Sequence, residues 1–329
     1  MAGGFAFAAG WIGPHRQSGA DIANALEYNG GKHEGYRRAH AKGLCLTGYF
    51  EASGAAASLS KAQVFATGRY PVSGRFSVAG GNPLASDGRN VFHSMALVIR
   101  TPDGLEWRTA MDHTPVFPVS TPADFASFQI ATRPDPTTGK PDPQKVAAFV
   151  ATHPETRAFQ AYMKTAPLPD SFANGTYYSI NAFRLIDKAG NSRTVRWRFV
   201  PDAAFSALNK QKLDALPKNY LFDEMQTRVK RAPATWRLVL TLASREDNTR
   251  DANALWPDTR RQITAGKLTV TSVSPEADAP CRDVNFAPTI LPAGMAISDD
   301  PLLAARAATY ASSFTRRALE GSKPVGSRK

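Results

Sequence analysis

Apolar and polar residues alternate in eight stretches of the chain, arranged as two groups of four. Residues 41–52, 70–79, 91–100 and 105–111 form the first group; residues 176–186, 193–200, 235–242 and 268–273 form the second. A period of two sends successive side chains to opposite faces of a strand. Turn signals separate many of the stretches, among them Pro102-Asp103-Gly104, Lys188-Ala189-Gly190-Asn191 and Ala265-Gly266. The pattern predicts two four-strand meanders. Eight antiparallel strands can close into a barrel able to hold one ligand.

Helical patterns interrupt and follow the strands. Thr121-Pro122 opens one, with Asp124 three residues after the threonine; this supplies an N-cap, a proline at the first helical position and an acidic first turn. Further helices are predicted over 143–151, 155–164 and 220–230. The last begins at Asp300-Pro301 by the same capping logic and stops at Gly321. Residues 134–141 read as a loop, and the strands on either side of it need each other. The expected architecture is α+β: a closed eight-stranded antiparallel β-barrel with inserted and C-terminal helices. It forms a single domain over residues 37–329 after an N-terminal arm over 1–36.

Composition narrows this little. The 329 residues are 43% apolar, enough for a substantial core, and 24 Gly with 24 Pro suit a loop-rich β or α+β protein. The net charge of +12 permits contact with nucleic acid or an anionic surface. No nucleic-acid fold signature accompanies it, so no nucleic-acid partner is expected. Cys45 and Cys281 are the only cysteines. They cannot build a disulfide framework or a four-ligand zinc site; one bridge and a buried free thiol both remain open. Residues 2–14 are small and apolar, too short to span a bilayer and without a basic n-region. They are either the remnant of an export or anchor segment or an ordinary ordered arm.

Two runs carry candidate chemistry. Near the start stands Arg37-Arg38-Ala39-His40-Ala41-Lys42-Gly43, followed by Gly48-Tyr49-Phe50; near the end stands the helix with Arg306, Tyr310, Arg316 and Arg317. At 100° per residue Arg306, Tyr310 and Arg317 point at 0°, roughly 40° and roughly 20°, so they share one face. A phenolate at Tyr310 can serve as an anionic ligand to ferric iron, and Arg306 one turn earlier would stabilise it. Arg317 can reach a carboxylate. Taken alone, the helix reads better as a surface element whose arginines cover a packed tyrosine.

The runs gain meaning together. Residues 37–50, 75–82, 107–128, 219–225 and 298–317 resemble catalases in order and spacing, with Arg-x-x-His-Ala-Lys-Gly and Arg75-Phe76-Ser77 the most specific parts. The short chain is most similar to the small catalase-related haem peroxidases. The resemblance implies haem b held by Tyr310, with Arg306 keeping the phenolate ionised. His40 would be the distal acid/base and Ser77 would orient its ring. Arg37, Arg75 and Arg317 would bind the haem carboxylates, and Phe125 and Phe128 would line the distal pocket. Three departures from the pattern stand out. The catalase asparagine is Asp112, which accepts but cannot donate when ionised. The family's Phe-Phe pair is Phe117-Pro118, and the valine before the distal histidine is Ala39.

The implied activity is reduction of hydrogen peroxide by a small organic reductant, with weak catalase activity beside it. Two other functions fit the same residues: rearrangement of lipid hydroperoxides, which Ala39 would suit by widening the channel, and non-enzymatic haem carriage. The resemblance and the apolar N-terminal run point to a periplasmic or otherwise exported protein with potential N-terminal membrane anchoring; the cytoplasm is the alternative. Oligomeric state stays open.

Overall fold

The computed structural model describes residues 17–89, 92–209, 213 and 215–321. The apolar run at 2–14 lies outside them. Ten strands form one sheet: β1 (Gly43–Ala52), β2 (Gly68–Val78), β3 (His93–Arg100), β4 (Glu106–Asp112), β5 (Tyr177–Tyr178), β6 (Phe183–Ile186), β7 (Ser192–Pro201), β8 (Ala234–Leu242), β9 (Gln262–Pro275) and β10 (Met295–Ile297). Strands β1 to β4 are a meander, β5 joins β4 to β7, and β7–β8–β9–β1 complete the ring. The result is the expected closed barrel of eight antiparallel strands, with β6 and β10 extending from β7.

The helices are α1 (Gly19–Gly30), α2 (Pro122–Ala131), α3 (Pro143–Thr152), α4 (Thr156–Thr165), α5 (Tyr220–Arg231) and α6 (Pro301–Leu319). The caps read from the sequence are made: Thr121 accepts from the Asp124 N–H at 3.2 Å, and Asp300 from the Leu302 N–H at 2.9 Å. The segment expected as an arm contains α1, and its start was legible. Ser18 and Asp21 form a reciprocal capping box. Helix α1 packs against α6, where a Cβ on Gly19 would overlap the Ala308 backbone. Arg316 secures it through Glu27 at 3.1 Å and Asn24 at 2.7 Å.

The barrel interior corrects one expectation. It has no room for a ligand, because Phe76, Trp107, Phe172, Tyr177, Trp197 and Trp236 fill it with almost no exposure. Trp197 stacks on Phe183 at 4.2 Å and meets Trp107 edge-on at 5.0 Å. Aromatic rings of this size close-pack a barrel of eight strands. The stretch predicted as one strand over 176–186 is broken at 179–182. Ile180 there takes φ 62°, a left-handed conformation rare for a β-branched residue.

The Cys45–Cys281 disulfide closes the question of the thiols in favour of the bridge. Cys45 alternates with the inward Leu44 and Leu46, so it faces outward from β1 and is covered by the segment that carries Cys281, Val284 and Phe286.

Candidate active site on the outer barrel wall

The outward residues of β1 to β4 meet in two cross-strand rows. Gly43, Ser77, Ser94 and Asp112 form one row; Cys45, Arg75, Ala96 and Ala110 form the next. Ser77, Ser94, Arg75, Ala96, Ala110 and Asp112 line a cavity between this wall and α6. The alanines keep the wall low, while the polar residues bring donors and acceptors into a site removed from bulk water. His40, just before β1, enters from one side; Tyr310, Arg306 and Arg317 enter from α6. The face inferred from the 3.6-residue period is therefore the one turned to the cavity.

On the α6 side, Arg306 Nη2 lies 3.3 Å from Tyr310 Oη and donates to the Ala110 carbonyl at 3.0 Å. Its Nη1 donates to Asn181 Oδ1 at 2.5 Å, and Asn181 in turn donates to Asp300 Oδ2 at 2.8 Å. Asp300 also caps α6, so the helix start and the arginine share one buried network. Burial opposes the Arg306 charge, but Tyr310, Asp112 and Asp300 outweigh it and raise its pKa. Asn181 is the contribution of the broken strand. It escaped the sequence reading because its stretch alternates like any strand, and nothing local marks the break.

On the opposite side, His40 is one of two non-glycine residues with positive φ among those described, at 55°; Ile180 is the other. Both border the same region. Backbone held in this region costs free energy and persists where surrounding contacts fix it; here the His40 carbonyl accepts from Arg75 Nη1 at 3.0 Å. Burial pushes the His40 imidazole below its ordinary pKa, Asp112 pulls it back, and Arg75, Arg306 and Arg37 add to the depression. The ring is thus neutral near pH 7 and able to accept a proton.

One expected contact is not made. His40 Nδ1 is buried without a partner, and no hydrogen bond joins it to Ser77. Ser77 stands opposite Gly43, three residues beyond His40, and lines the same cavity. Asp112 does face the cavity, and the Ser94 hydroxyl donates to its Oδ1.

Arg37 and Arg75 sit at one end. Arg37 Nη2 donates to the carbonyls of Cys281, Arg282 and Val284 at 2.9–3.0 Å. Burial pushes its pKa down to about 9, with Arg75 adding to the effect. Both arginines also contact Glu276, a residue the sequence reading passed over. Phe125 lines the cavity near Tyr310 and stacks on Phe117 at 5.3 Å. Phe128 stands farther out. It packs on Phe149 at 5.6 Å and helps form a channel that runs past Phe117, Phe125 and Phe159 to His40 and Asp112.

These residues fit haem. Three buried polar atoms without partners, His40 Nδ1, Arg75 Nε and Arg317 Nη2, belong to residues that border the cavity. Unpaired buried donors are costly and call for a ligand or water. Among the described residues no group of three or more His, Cys, Asp or Glu side chains can hold a metal ion. A single phenolic oxygen suits a metal that brings its own macrocyclic nitrogen ligands.

A sequence model of the family described as Catalase matches residues 32–322. A catalase-related peroxidase of Synechococcus elongatus is 37% identical over 296 residues, covering 90% of this chain and 87% of the relative. One from Mycolicibacterium paratuberculosis is 31% identical over 295 residues, covering 89% and 93%. The crystal structure of a fungal catalase superposes with a TM-score of 0.77 at 21% identity, covering 87% of this chain and 60% of that one; it shares the fold. The matched region includes the barrel, the His40 loop and α6, and so this chain belongs to the catalase family.

Proposed function

We propose that this protein is an oxidoreductase that reduces hydrogen peroxide with a small organic electron donor, using haem b. The observation that carries the reading is the placement of His40 and the Tyr310–Arg306 pair around one cavity. Tyr310, braced by Arg306, would bind the haem iron, and Arg37, Arg75 and Arg317 would hold the carboxylates. Bound haem supplies the iron that activates peroxide and exchanges electrons with the donor. The protein's part is proton management and exclusion of water. His40 accepts the proton from one peroxide oxygen and delivers it to the other, so that oxygen leaves as water rather than hydroxide. Asp112 accepts from Ser94 and presents a carboxylate where a donating amide would favour dioxygen release. This tilts the site toward donor oxidation, with catalase activity weak.

The test is spectroscopic and kinetic on the full chain. Purified protein should show a tyrosinate-type haem spectrum. Tyr310→Phe should abolish normal haem incorporation or change that spectrum; an unchanged spectrum rules out the ligand assignment. His40→Ala should retain haem yet react with peroxide more slowly by roughly 10²–10⁴-fold, the usual contribution of a proton-transfer group. Turnover that does not depend on His40 would leave a haem carrier as the better description.

A second reading replaces hydrogen peroxide by a lipid hydroperoxide. It is favoured by the apolar channel past Val116, Phe117, Phe125, Phe128 and Phe159, with the small Ala39 at its inner end. Product analysis separates the two: water and oxidised donor in one case, a rearranged lipid in the other. Export, for instance to the periplasm, belongs to the main proposal and is supported by the buried Cys45–Cys281 bridge, since such bonds persist in oxidising compartments. No helix among the described residues is long and apolar enough to cross a membrane.

A further inference from the structure

Three guanidinium groups, those of Arg37, Arg75 and Arg317, converge on one end of the cavity. Gathering like charges away from water is unfavourable, and a carboxylate among them offsets the cost. Glu276 bridges two of the three: Arg37 Nε donates to its Oε1 at 3.4 Å, and Arg75 Nη2 donates to its Oε2. Burial works against ionisation of Glu276, but Arg75 and then Arg37 outweigh it and hold the carboxyl below its usual range. Glu276 is not part of the lining around His40 and Tyr310. It borders a groove behind the arginines, together with Arg37 and Arg317.

The surroundings are built for this bridge. A Cβ at Gly43 would overlap both Arg75 Nη2 and Glu276 Oε2, so the last residue of the Arg-x-x-His-Ala-Lys-Gly run leaves room for the pair. The chain just beyond Glu276 is fixed by the Cys45–Cys281 disulfide and by the three carbonyls that accept from Arg37. Three cations and one anion leave a charge of +2. Two buried guanidinium nitrogens, Arg75 Nε and Arg317 Nη2, still lack partners.

We infer that Glu276 is a positioning residue, the internal counter-charge that lets the arginine cradle form in the empty protein and trims it to match a cofactor edge bearing two carboxylates. The inference rests on the haem reading. Glu276 and the cofactor carboxylates neutralise the same guanidinium groups, so removal of one increases the contribution of the other.

The experiment titrates the full-length apoprotein, by Soret absorbance, with haem b and with its dimethyl ester, whose carboxylates are blocked. Glu276→Gln should lower the apoprotein melting temperature. It should also raise the preference for haem over the ester by about tenfold, the factor that ~1.4 kcal/mol supplies. Glu276→Asp, which keeps the charge, should stay near the wild-type preference. A preference that is unchanged or reduced in Glu276→Gln overturns the inference, as does an equal change in both variants, which would make the role one of shape. If the Gln apoprotein does not fold, haem transfer from the loaded variant to excess apomyoglobin takes its place: slower transfer than wild type supports the counter-charge, and equal or faster transfer overturns it. Wild-type protein that binds neither haem nor ester would remove the cofactor reading itself, a result distinct from the failure of Glu276 alone.

Discussion

The two faces of strands β2, β3 and β4 are built from the same backbone and do opposite work. The inward face carries Phe76, Val78, Met95, Leu97, Trp107 and Met111, all buried in one apolar cluster. The outward face carries Arg75, Ser77, Ser94 and Asp112, which line the cavity beside α6. Inside, two of the three indole N–H groups find partners, Trp197 Nε1 donating to Thr109 at 3.0 Å and Trp236 Nε1 to the Gly175 carbonyl at 3.2 Å, while that of Trp107 has none. Outside, unpaired polar atoms of His40, Arg75 and Arg317 gather around the cavity. A closed and mostly apolar interior supports a polar wall. The wall can hold costly, preorganised polar groups because the stability comes from the other side of the same strands.

The contrast can be broken most severely from within. Trp197→Ala should cost about 3–5 kcal/mol, the range for large aromatic truncation, and should leave Thr109 without its donor. Denaturant unfolding would measure it. A loss well below 1 kcal/mol would mean the interior does not carry the fold. Substitutions on the wall, such as His40→Ala, should leave that unfolding curve nearly in place while changing chemistry.

His93 sharpens the contrast, because it is a titratable group on the inward face. Its ring lies against Phe172 at 5.4 Å, fully buried, with neither nitrogen partnered. Burial, assisted by nearby His113, pushes its pKa down to about 3. The folded state therefore binds this proton less readily than the unfolded chain, whose imidazole titrates near 6.5. The stability it permits is complete above about pH 6.5 and is lost as pH falls toward 3. His93→Phe should flatten the dependence of melting temperature on pH across that window. An unchanged slope would show that other groups govern acid unfolding.

The smallest expected effect lies on the wall. Asp112→Asn should leave melting and haem content unchanged yet raise dioxygen release relative to dye oxidation, read by oxygen electrode and absorbance on one preparation. A flat or falling ratio would show that Asp112 does not set the balance between the two activities.

Much of this was legible in the chain itself. Period-two alternation located the strands because burying one face of a strand demands it, and the caps at Thr121 and Asp300 are local hydrogen bonds written in adjacent residues. The shared face of Arg306, Tyr310 and Arg317 follows from helix geometry. The capping box at Ser18 was equally local, so α1 could have been read the same way. Other features depended on which distant segments meet. Closure put the aromatic rings inside and moved the ligand site to the outer wall, because eight strands leave space for one or the other. The break at 179–182 brought Asn181 to Arg306. The pairing of Cys45 with Cys281 and of Glu276 with Arg75 joins residues about 200 or more positions apart. Local sequence sets propensity and face, whereas the choice of partner across such distances is made by packing of the whole chain.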